Sequence, residues 1–194
     1  MNQPRWRAIQ VYLSPHKYNN MITVNDTYYL DRFVSTDEGR LAETINDAEI
    51  ARNTLTIPYP YTVEDAQWWL KRCELQYNSG EPQRSWAIRN SHEQVCGSIS
   101  RHFKYGFNSH KDEIGYWLMR PLWGQGLMTE VIEKFVEHCF QEETLKRLEA
   151  PIFEFNKGSA RVLEKNGFEL EGCLKMAHLK NGVYYDSLLY AKQS

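Results

Sequence analysis

The 194-residue chain has few cysteines and no long apolar run. Its four cysteines are widely spaced, form no C-x-x-C pair and share no zinc-like spacing with a histidine; they are Cys73, Cys96, Cys139 and Cys173. No segment approaches the ~18 to 20 apolar residues that cross a bilayer, and the polar N-terminus does not resemble a signal peptide. We therefore expect a reducing compartment, cytoplasmic or nuclear, with reduced and mostly structural cysteines.

An excess of one charge sign is also missing, since the formal net charge is −2. This balance provides no global basic field, so we expect neither nucleic acid nor membrane as a partner. Hydrophobic residues make up 42% of the chain and aromatic residues 13%, which suffices for one sizeable core. We expect one domain over residues 26–194. The preceding residues 1–25 have no assignable pattern and could be an extra strand, a mobile arm or a partner contact.

The clearest local signal is an amphipathic helix over residues 127–140, where apolar residues recur at helical period and charged residues occupy the other face. The strand predicted before it, 113–119, alternates with Ile114, Tyr116 and Leu118 on one face. Periodicity and turn residues predict further strands at 27–33, 86–89, 94–103, 145–155, 168–179 and 183–191. They also predict helices at 36–45 and 48–55, one that follows a Thr62 cap, and one that Asn156 caps.

Two closely spaced glycines, Gly124 and Gly126, lie in the loop between that strand and the amphipathic helix. Glycines let the backbone turn tightly and approach a ligand, and the free N–H groups and dipole of a helix start favour an anion such as phosphate. A plain strand-to-helix turn is the alternative. A Walker loop and a dinucleotide loop are both disfavoured: the first needs a Gly-Lys-Ser/Thr ending, which is absent, and the second needs a third glycine where Thr129 stands.

A second block follows, Asn156-Lys157-Gly158-Ser159 and then Val162 to Phe168 with its Gly-Phe ending. Together the two blocks resemble the GNAT acetyltransferases, and residues 123–130 are typical of their ribosomal-protein-alanine N-acetyltransferase-like subgroup. The resemblance covers roughly residues 27–191 in the expected order. The chain departs from the family's Gln/Arg-x-x-Gly-x-Gly/Ala pattern at its first position, where Pro121 stands and Arg120 comes one place early.

The resemblance implies an α/β fold with a central mixed, mostly antiparallel sheet, flanking helices and two parallel strands that splay apart around coenzyme A. Pro151 supports the splay, because proline lacks a ladder donor and is tolerated where strands separate. The implied cofactor is acetyl-CoA. Its pyrophosphate would contact Leu122, Trp123, Gly124, Gln125, Gly126 and Leu127. Its pantetheine would pair with backbone groups of Trp117, Leu118 and Met119 by strand addition, with Asn156 and Ser159 as further contacts.

Acyl transfer from a thioester to an amine requires a neutral amine, a stabilised oxyanion and a protonated thiolate. No covalent intermediate is needed, so the cysteines need no role, and we expect Cys96, Cys139 and Cys173 to be buried small apolar residues. The resemblance assigns the thiolate's proton donor to Ser159. The alternative is that the Ser159 hydroxyl only bonds the helix backbone.

Many GNAT enzymes carry a tyrosine as this acid, but residues 162–164 here are Val-Leu-Glu. The general base has two candidates. His178 stands where the subgroup has a glutamate, and an imidazole changes charge near neutral pH. Glu113 lies on a strand where other GNAT enzymes place a base that acts through water.

These residues together predict an acetyl-CoA-dependent N-acetyltransferase that acts on a primary amine of a small molecule or of a peptide or protein N-terminus. We expect a monomer or a homodimer. The alternative is a catalytically silent acyl-CoA-binding or interaction module on the same fold.

Overall fold

The computed structural model describes residues 21–103, 106–141 and 145–194. The strands in these ranges are β1 Ile22–Thr23, β2 Tyr28–Asp31, β3 Ser85–Asn90, β4 Val95–Phe103, β5 Lys111–Leu118, β6 Arg147–Phe153, β7 Glu169–Lys180 and β8 Val183–Gln193. The helices are α1 Glu38–Ile45, α2 Ala48–Asn53, α3 Val63–Asn78, α4 Leu127–Gln141 and α5 Lys157–Lys165. Every predicted helix and strand is present, with bounds shifted by a few residues.

All described strands join one sheet in the order β1-β2-β3-β4-β5-β6-β8-β7. Neighbours run antiparallel except β5 and β6, which are parallel. The mixed, mostly antiparallel sheet expected from the resemblance is thus confirmed. Of the predicted N-terminal extension, residues 1–20 lie outside the described part of the chain. Ile22–Thr23 add a short strand to the edge of the sheet.

The parallel pair separates after three residues. Lys111, Asp112 and Glu113 pair with Arg147, Leu148 and Glu149, whereas both strands continue well beyond these pairs. Beyond them β6 remains paired with β8, where Pro151 lies opposite Leu189. The proline lies two residues past the last parallel pair, so its missing N–H coincides with the separation, as expected.

Helices cover both faces of the sheet. On one face α4 and α5 bury a core around Trp86, Ile132 and Phe135, and the Trp86 and Phe135 rings meet edge-to-face with centroids 5.0 Å apart. On the other face α1, α2 and α3 contribute Leu41, Ile50 and Leu70 to a second cluster. Successive strand residues serve opposite clusters, as the period of two in a strand requires.

Local capping follows the sequence closely. Thr62 and Asp65 form a reciprocal capping box at the start of α3. Asn156 accepts a hydrogen bond from the Ser159 N–H at 3.0 Å and begins α5. Asn181 and Gly182, in the turn between β7 and β8, both have positive φ (51° and 78°), which is the type I′ geometry that an Asn-Gly pair favours.

The cysteines need one correction. Cys96 and Cys139 are buried, as expected, but Cys173 is exposed because it lies on β7, the edge strand of the sheet. A strand at the edge has a neighbour on one side only, so its side chains are covered less completely. None of the helices in the described part of the chain combines the length and the hydrophobicity of a membrane-spanning segment.

Strands β4 and β5 approach each other closely at Gly97, beside the point where β5 turns into the glycine loop. A Cβ at this position would lie 2.5 Å from the Trp117 carbonyl oxygen and 3.1 Å from Leu118 Cα. Both are backbone atoms, so the strands would have to move apart. A glycine is therefore needed at position 97 because the adjacent strand leaves no space for a side chain, and not because of its backbone angles.

We predict that Gly97→Ala lowers the free energy of unfolding by about 1–3 kcal/mol, the usual cost of overpacking. Thermal or urea unfolding measures the change. The matched control is Gly39→Ala on α1, where a Cβ would meet no heavy atom within 4 Å. This control should leave stability unchanged or slightly higher, because alanine favours helix. Equal effects of the two substitutions would contradict the close approach of the strands.

Candidate active site

A cleft with a volume of about 590 Å³ opens where β5 and β6 separate. Its walls are formed by the end of α2, the glycine loop with the first turn of α4, and the exposed face of α5. The cleft therefore passes through the sheet from the α2 side to the α4 and α5 side. It brings together most residues that the sequence assigned to a cofactor, namely Trp117, Leu118, Leu122, Trp123, Gly124, Gly126, Leu127, Asn156 and Ser159.

The glycine loop presents open backbone to this cleft. Gly124 and Gly126 have φ of 75° and 89°, in the left-handed region that favours glycine, and a Cβ at either would meet no heavy atom within 4 Å. The loop is fixed from behind, where Trp123 Nε1 donates to the Leu118 carbonyl and Gln125 Nε2 to the Pro121 carbonyl, each at 2.7 Å. Empty space in front of a helix start, with its free N–H groups, suits a phosphate group.

Cations line the cleft, and no carboxylate is among the described residues of its lining. Lys157, Arg161 and Lys165 recur every four residues along α5, so they share one face of that helix. Arg52 reaches the cleft from α2, and its guanidinium carbon lies 4.9 Å from the centre of the Phe155 ring. A cleft with this charge attracts a ligand that carries several phosphates.

Arg120, the residue one place early in the family pattern, does not line this cleft. Its guanidinium lies 3.7 Å from a carboxylate oxygen of Asp47, the residue that caps α2, and 5.8 Å from the Trp123 ring centre. It ties the loop to α2 instead. Gln125 also points its amide back into the loop, so its side chain supports the loop's shape.

The backbone of β5 needs a second correction. The Met119 N–H donates to the Cys96 carbonyl at 2.8 Å, so this group is already bonded to β4. Because antiparallel backbone groups alternate in direction, those of Trp117 also face β4, whereas those of Tyr116 and Leu118 face the gap toward β6. The Leu118 carbonyl accepts a hydrogen bond from the Trp123 side chain. The Leu118 N–H is therefore the group that is directed into the cleft. Strand addition by a ligand would use Leu118 rather than its neighbours.

Ser159 lies in the first turn of α5 and lines the cleft. Its N–H is bonded to the Asn156 side chain, and its Oγ donates to the Tyr116 hydroxyl at 2.7 Å. Its hydroxyl is therefore not spent on the helix backbone. Tyr116 itself lines the cleft and was not singled out as functional from the sequence, where it belongs to the apolar face of β5. The one sequence feature that could have indicated a role for Tyr116 is its hydroxyl group, which is polar although the residue lies on the apolar face of β5.

Burial raises the pKa of Tyr116, and the hydrogen bond from Ser159 lowers it only in part. The phenol therefore keeps its proton at neutral pH and above.

The two candidate bases lie on the opposite face of the sheet from Tyr116. On β5, Glu113 alternates with Ile114 and Tyr116, and it is the last residue of that strand to pair with β6. The His178 ring meets the Phe153 ring edge-to-face at 5.5 Å. Phe153 belongs to the face of β6 that is turned away from Leu148 and Ala150, which join the α4 core. Neither base lines the cleft as it stands, and both face the side where α2 closes the cleft.

That side is closed by a bridge between the β7–β8 hairpin and α2. Lys180, at the end of β7, donates through Nζ to the carbonyls of Ala51 and Thr54. Burial lowers the pKa of Lys180. The contact satisfies carbonyls at the C-terminus of α2 and holds the hairpin against the wall of the cleft that contains Arg52.

One cleft thus joins an open glycine loop at a helix start, a hydroxyl pair and an aromatic ring with a cation. Comparison with known proteins shows the family to which the chain belongs. The sequence matches the family profile described as "Acetyltransferase (GNAT) domain" over residues 28–169. The probable N-acetyltransferase YjcK of Bacillus subtilis (strain 168) is 31% identical over 131 residues, which are 68% of this chain and 72% of that protein.

The ribosomal-protein-serine acetyltransferase of Escherichia coli (strain K12) is 40% identical over 80 residues, 41% of this chain and 45% of that enzyme. The chain spans about half the length of several such relatives. A ribosomal L7/L12 alpha-N-protein acetyltransferase, solved with coenzyme A, has a TM-score of 0.78 to this structure at 24% identity. That match covers 89% of this chain and 97% of the other, and it shows the same fold. The chain belongs to the GNAT family of acetyltransferases.

Proposed function

We propose that this protein is an N-acetyltransferase that moves the acetyl group of acetyl-CoA directly to a primary amine. One observation carries the proposal: a single cleft joins an open glycine loop at a helix start to a serine hydroxyl positioned at the separation of β5 and β6. Acetyl-CoA, when bound, supplies an activated thioester. The residues of the chain bind it, orient it and move protons.

The glycine loop and α5 are proposed to bind the phosphates. The first N–H groups of α4 have no intrahelical partner, and the dipole of α4 adds to their attraction for an anion. Lys157, Arg161 and Lys165 provide the countercharge from the facing wall. The Leu118 N–H is proposed to hold an amide of the pantetheine arm, and Asn156 to contact it from the start of α5.

Ser159 is proposed to donate its proton, or a hydrogen bond, to the departing thiolate. Its position at the N-terminus of α5 adds the positive end of the helix dipole to this task. The proton of the amine is proposed to leave on the opposite face, to His178 or to Glu113. The presence of Ser159 with a hydroxyl partner in the cleft argues against a catalytically silent module.

The acceptor is proposed to be the α-amine of a peptide or protein. The α2 side of the cleft supports this, because Phe155 and Arg52 provide an aromatic ring and a cation there. The name of the Escherichia coli relative also supports it. Free L-amino acids are a second class, which the name of another relative, the L-amino acid N-acetyltransferase AaaT, favours. Thiol release from acetyl-CoA with peptides, amino acids and other amines tests the proposal.

The first prediction from this proposal concerns the glycine loop. Gly126→Val should abolish most of the rise in melting temperature that coenzyme A causes, because a branched side chain would fill the space proposed for the pyrophosphate. For the unchanged protein, the ligand at 100 times its Kd should add about 2.7 kcal/mol to stability. NAD and ATP at equal concentration should add clearly less.

The matched control is Gly80→Val. Gly80 ends α3, has a φ of 75° and, like Gly126, has open space around its Cβ position. The two variants should carry similar backbone strain, so both should melt earlier without ligand. Only Gly126→Val should lose the response to coenzyme A. A normal response in Gly126→Val would make the loop a structural turn and refute the proposed phosphate site.

The second prediction concerns Ser159. Ser159→Ala should lower kcat by ~10²- to 10⁴-fold, the usual contribution of a positioned acid or base, with little change in acetyl-CoA affinity. Steady-state kinetics and ligand titration separate the two effects. Ser100→Ala is the control, because it removes another hydroxyl-to-hydroxyl bond, to Ser85 at 3.0 Å, outside the cleft. A kcat for Ser159→Ala equal to that of the control would remove Ser159 from the chemistry.

The third prediction separates the bases. If His178 accepts the proton of the amine, the pH–rate profile has a limb that His178→Gln removes and Glu113→Gln keeps. The reverse result would assign the role to Glu113. Profiles that are unchanged in both variants would mean that the amine arrives neutral and that the enzyme acts by positioning its two substrates.

A further inference from the structure

The hydroxyl groups of Ser159 and Tyr116 form a pair that belongs to two different elements. Ser159 lies in the first turn of α5 and Tyr116 on β5, 43 residues earlier, and their oxygens are 2.7 Å apart. Both line the cleft. The phenol is held by a strand that packs against the main core, and Ser159 by its helix cap, so neither group is free to drift from the other.

The direction of this hydrogen bond matters for any acid at Ser159. A serine hydroxyl has one proton and two acceptor sites. In the structure the Ser159 hydroxyl is hydrogen-bonded to the Tyr116 hydroxyl. For Ser159 to donate to a sulfur atom, its O–H must turn, and its Oγ then presents a lone pair to the phenol. Tyr116 must then donate a hydrogen bond to Ser159 Oγ instead of accepting one. A tyrosine hydroxyl can do both, whereas a phenylalanine ring can do neither.

The proton of the phenol is available for this change. Its acceptor in the structure is the backbone carbonyl oxygen of Ser159, at 3.5 Å. That is long for an O–H···O bond, whose usual distance is about 2.7–2.8 Å. Turning the phenol proton toward Ser159 Oγ exchanges a weak bond for a short one, so the reversal of the pair costs little.

We propose that Tyr116 is the positioning residue for Ser159: it accepts the serine proton while the cleft awaits its donor, and donates to Ser159 Oγ when the serine O–H turns to the departing sulfur. The role rests on the proposed function. In the second arrangement the Tyr116 hydrogen bond withdraws electron density from Ser159 Oγ and so strengthens the serine as a donor. No proton leaves the phenol.

The surroundings of the phenol suit this role. Burial raises the pKa of Tyr116, so the phenol remains a neutral donor at neutral pH. A group that ionised at neutral pH would lose the proton it must donate. The chain therefore has a tyrosine beside the proposed acid. This tyrosine, Tyr116, lies on β5 and contacts Ser159, whereas many family members carry theirs on the helix.

The test is Tyr116→Phe, which keeps the ring in the core and removes only the hydroxyl. We expect kcat to fall about tenfold, the value of one good hydrogen bond, with the KM for acetyl-CoA and the melting temperature nearly unchanged. In the Ser159→Ala variant the serine hydroxyl is gone, so Tyr116 has no group to position. The double variant Tyr116→Phe/Ser159→Ala should therefore be no slower than Ser159→Ala alone, which is full coupling in a double-mutant cycle.

The matched control is Tyr190→Phe. Tyr190 is a buried tyrosine of the same core whose hydroxyl also bonds α5, at Glu164 Oε1 with 2.9 Å, but it does not line the cleft. Its loss should leave kcat unchanged. An equal fall in both variants, or additive losses in the double variant, would overturn the positioning role while the enzyme remains an acetyltransferase. If the unchanged protein releases no thiol with any amine, the proposed function fails, and the role of Tyr116 fails with it.

Discussion

The separation of β5 from β6 is the constraint on which the site depends. Two parallel strands share three pairs and then part, and each must satisfy its backbone in another way. On β6 the partner β8 continues alongside, and Pro151 has no N–H to leave unpaired. On β5 the Leu118 carbonyl is satisfied by the Trp123 side chain. The gap is therefore built into the sheet.

A cluster of charges joins the strands just before they part. Glu149 Oε1 accepts from Lys111 Nζ at 2.8 Å and from Arg147 Nε at 2.9 Å, and Arg147 also pairs with Glu171 on β7. Burial alone would raise the pKa of Glu149, but these hydrogen bonds outweigh it and lower the pKa. The carboxylate stays ionised at neutral pH, so strands β5, β6 and β7 are held together at the vertex of the gap.

The gap also explains why the functional groups are divided between two faces of one sheet. Tyr116 and Ser159 lie on the side of α4 and α5, with the glycine loop. Glu113 and His178 lie on the side of α2 and the hairpin. An acyl group presented within the gap would be reached by the hydroxyl pair from one side and by an amine and its base from the other. On the proposed function, such a division would keep the thiol and the amine apart until the acyl carbon joins them.

The sequence by itself determined the features that depend on neighbours along the chain. The amphipathic pattern of α4, the Thr62 and Asn156 caps and the glycine loop were all predicted, because each follows from contacts within a few residues. The family resemblance then supplied the sheet and its splay. Which groups meet across the gap could not be predicted in this way.

Only the tertiary structure decided that Tyr116, predicted as a core residue, reaches Ser159, and that Arg52 shares a cleft with α5. It also decided that Leu118 rather than Met119 turns its N–H into the gap, and that Cys173 is exposed. The reason is common to all four. Each depends on which strand or helix lies alongside and in which register, and that is a property of residues distant in the chain, set when the sheet assembles.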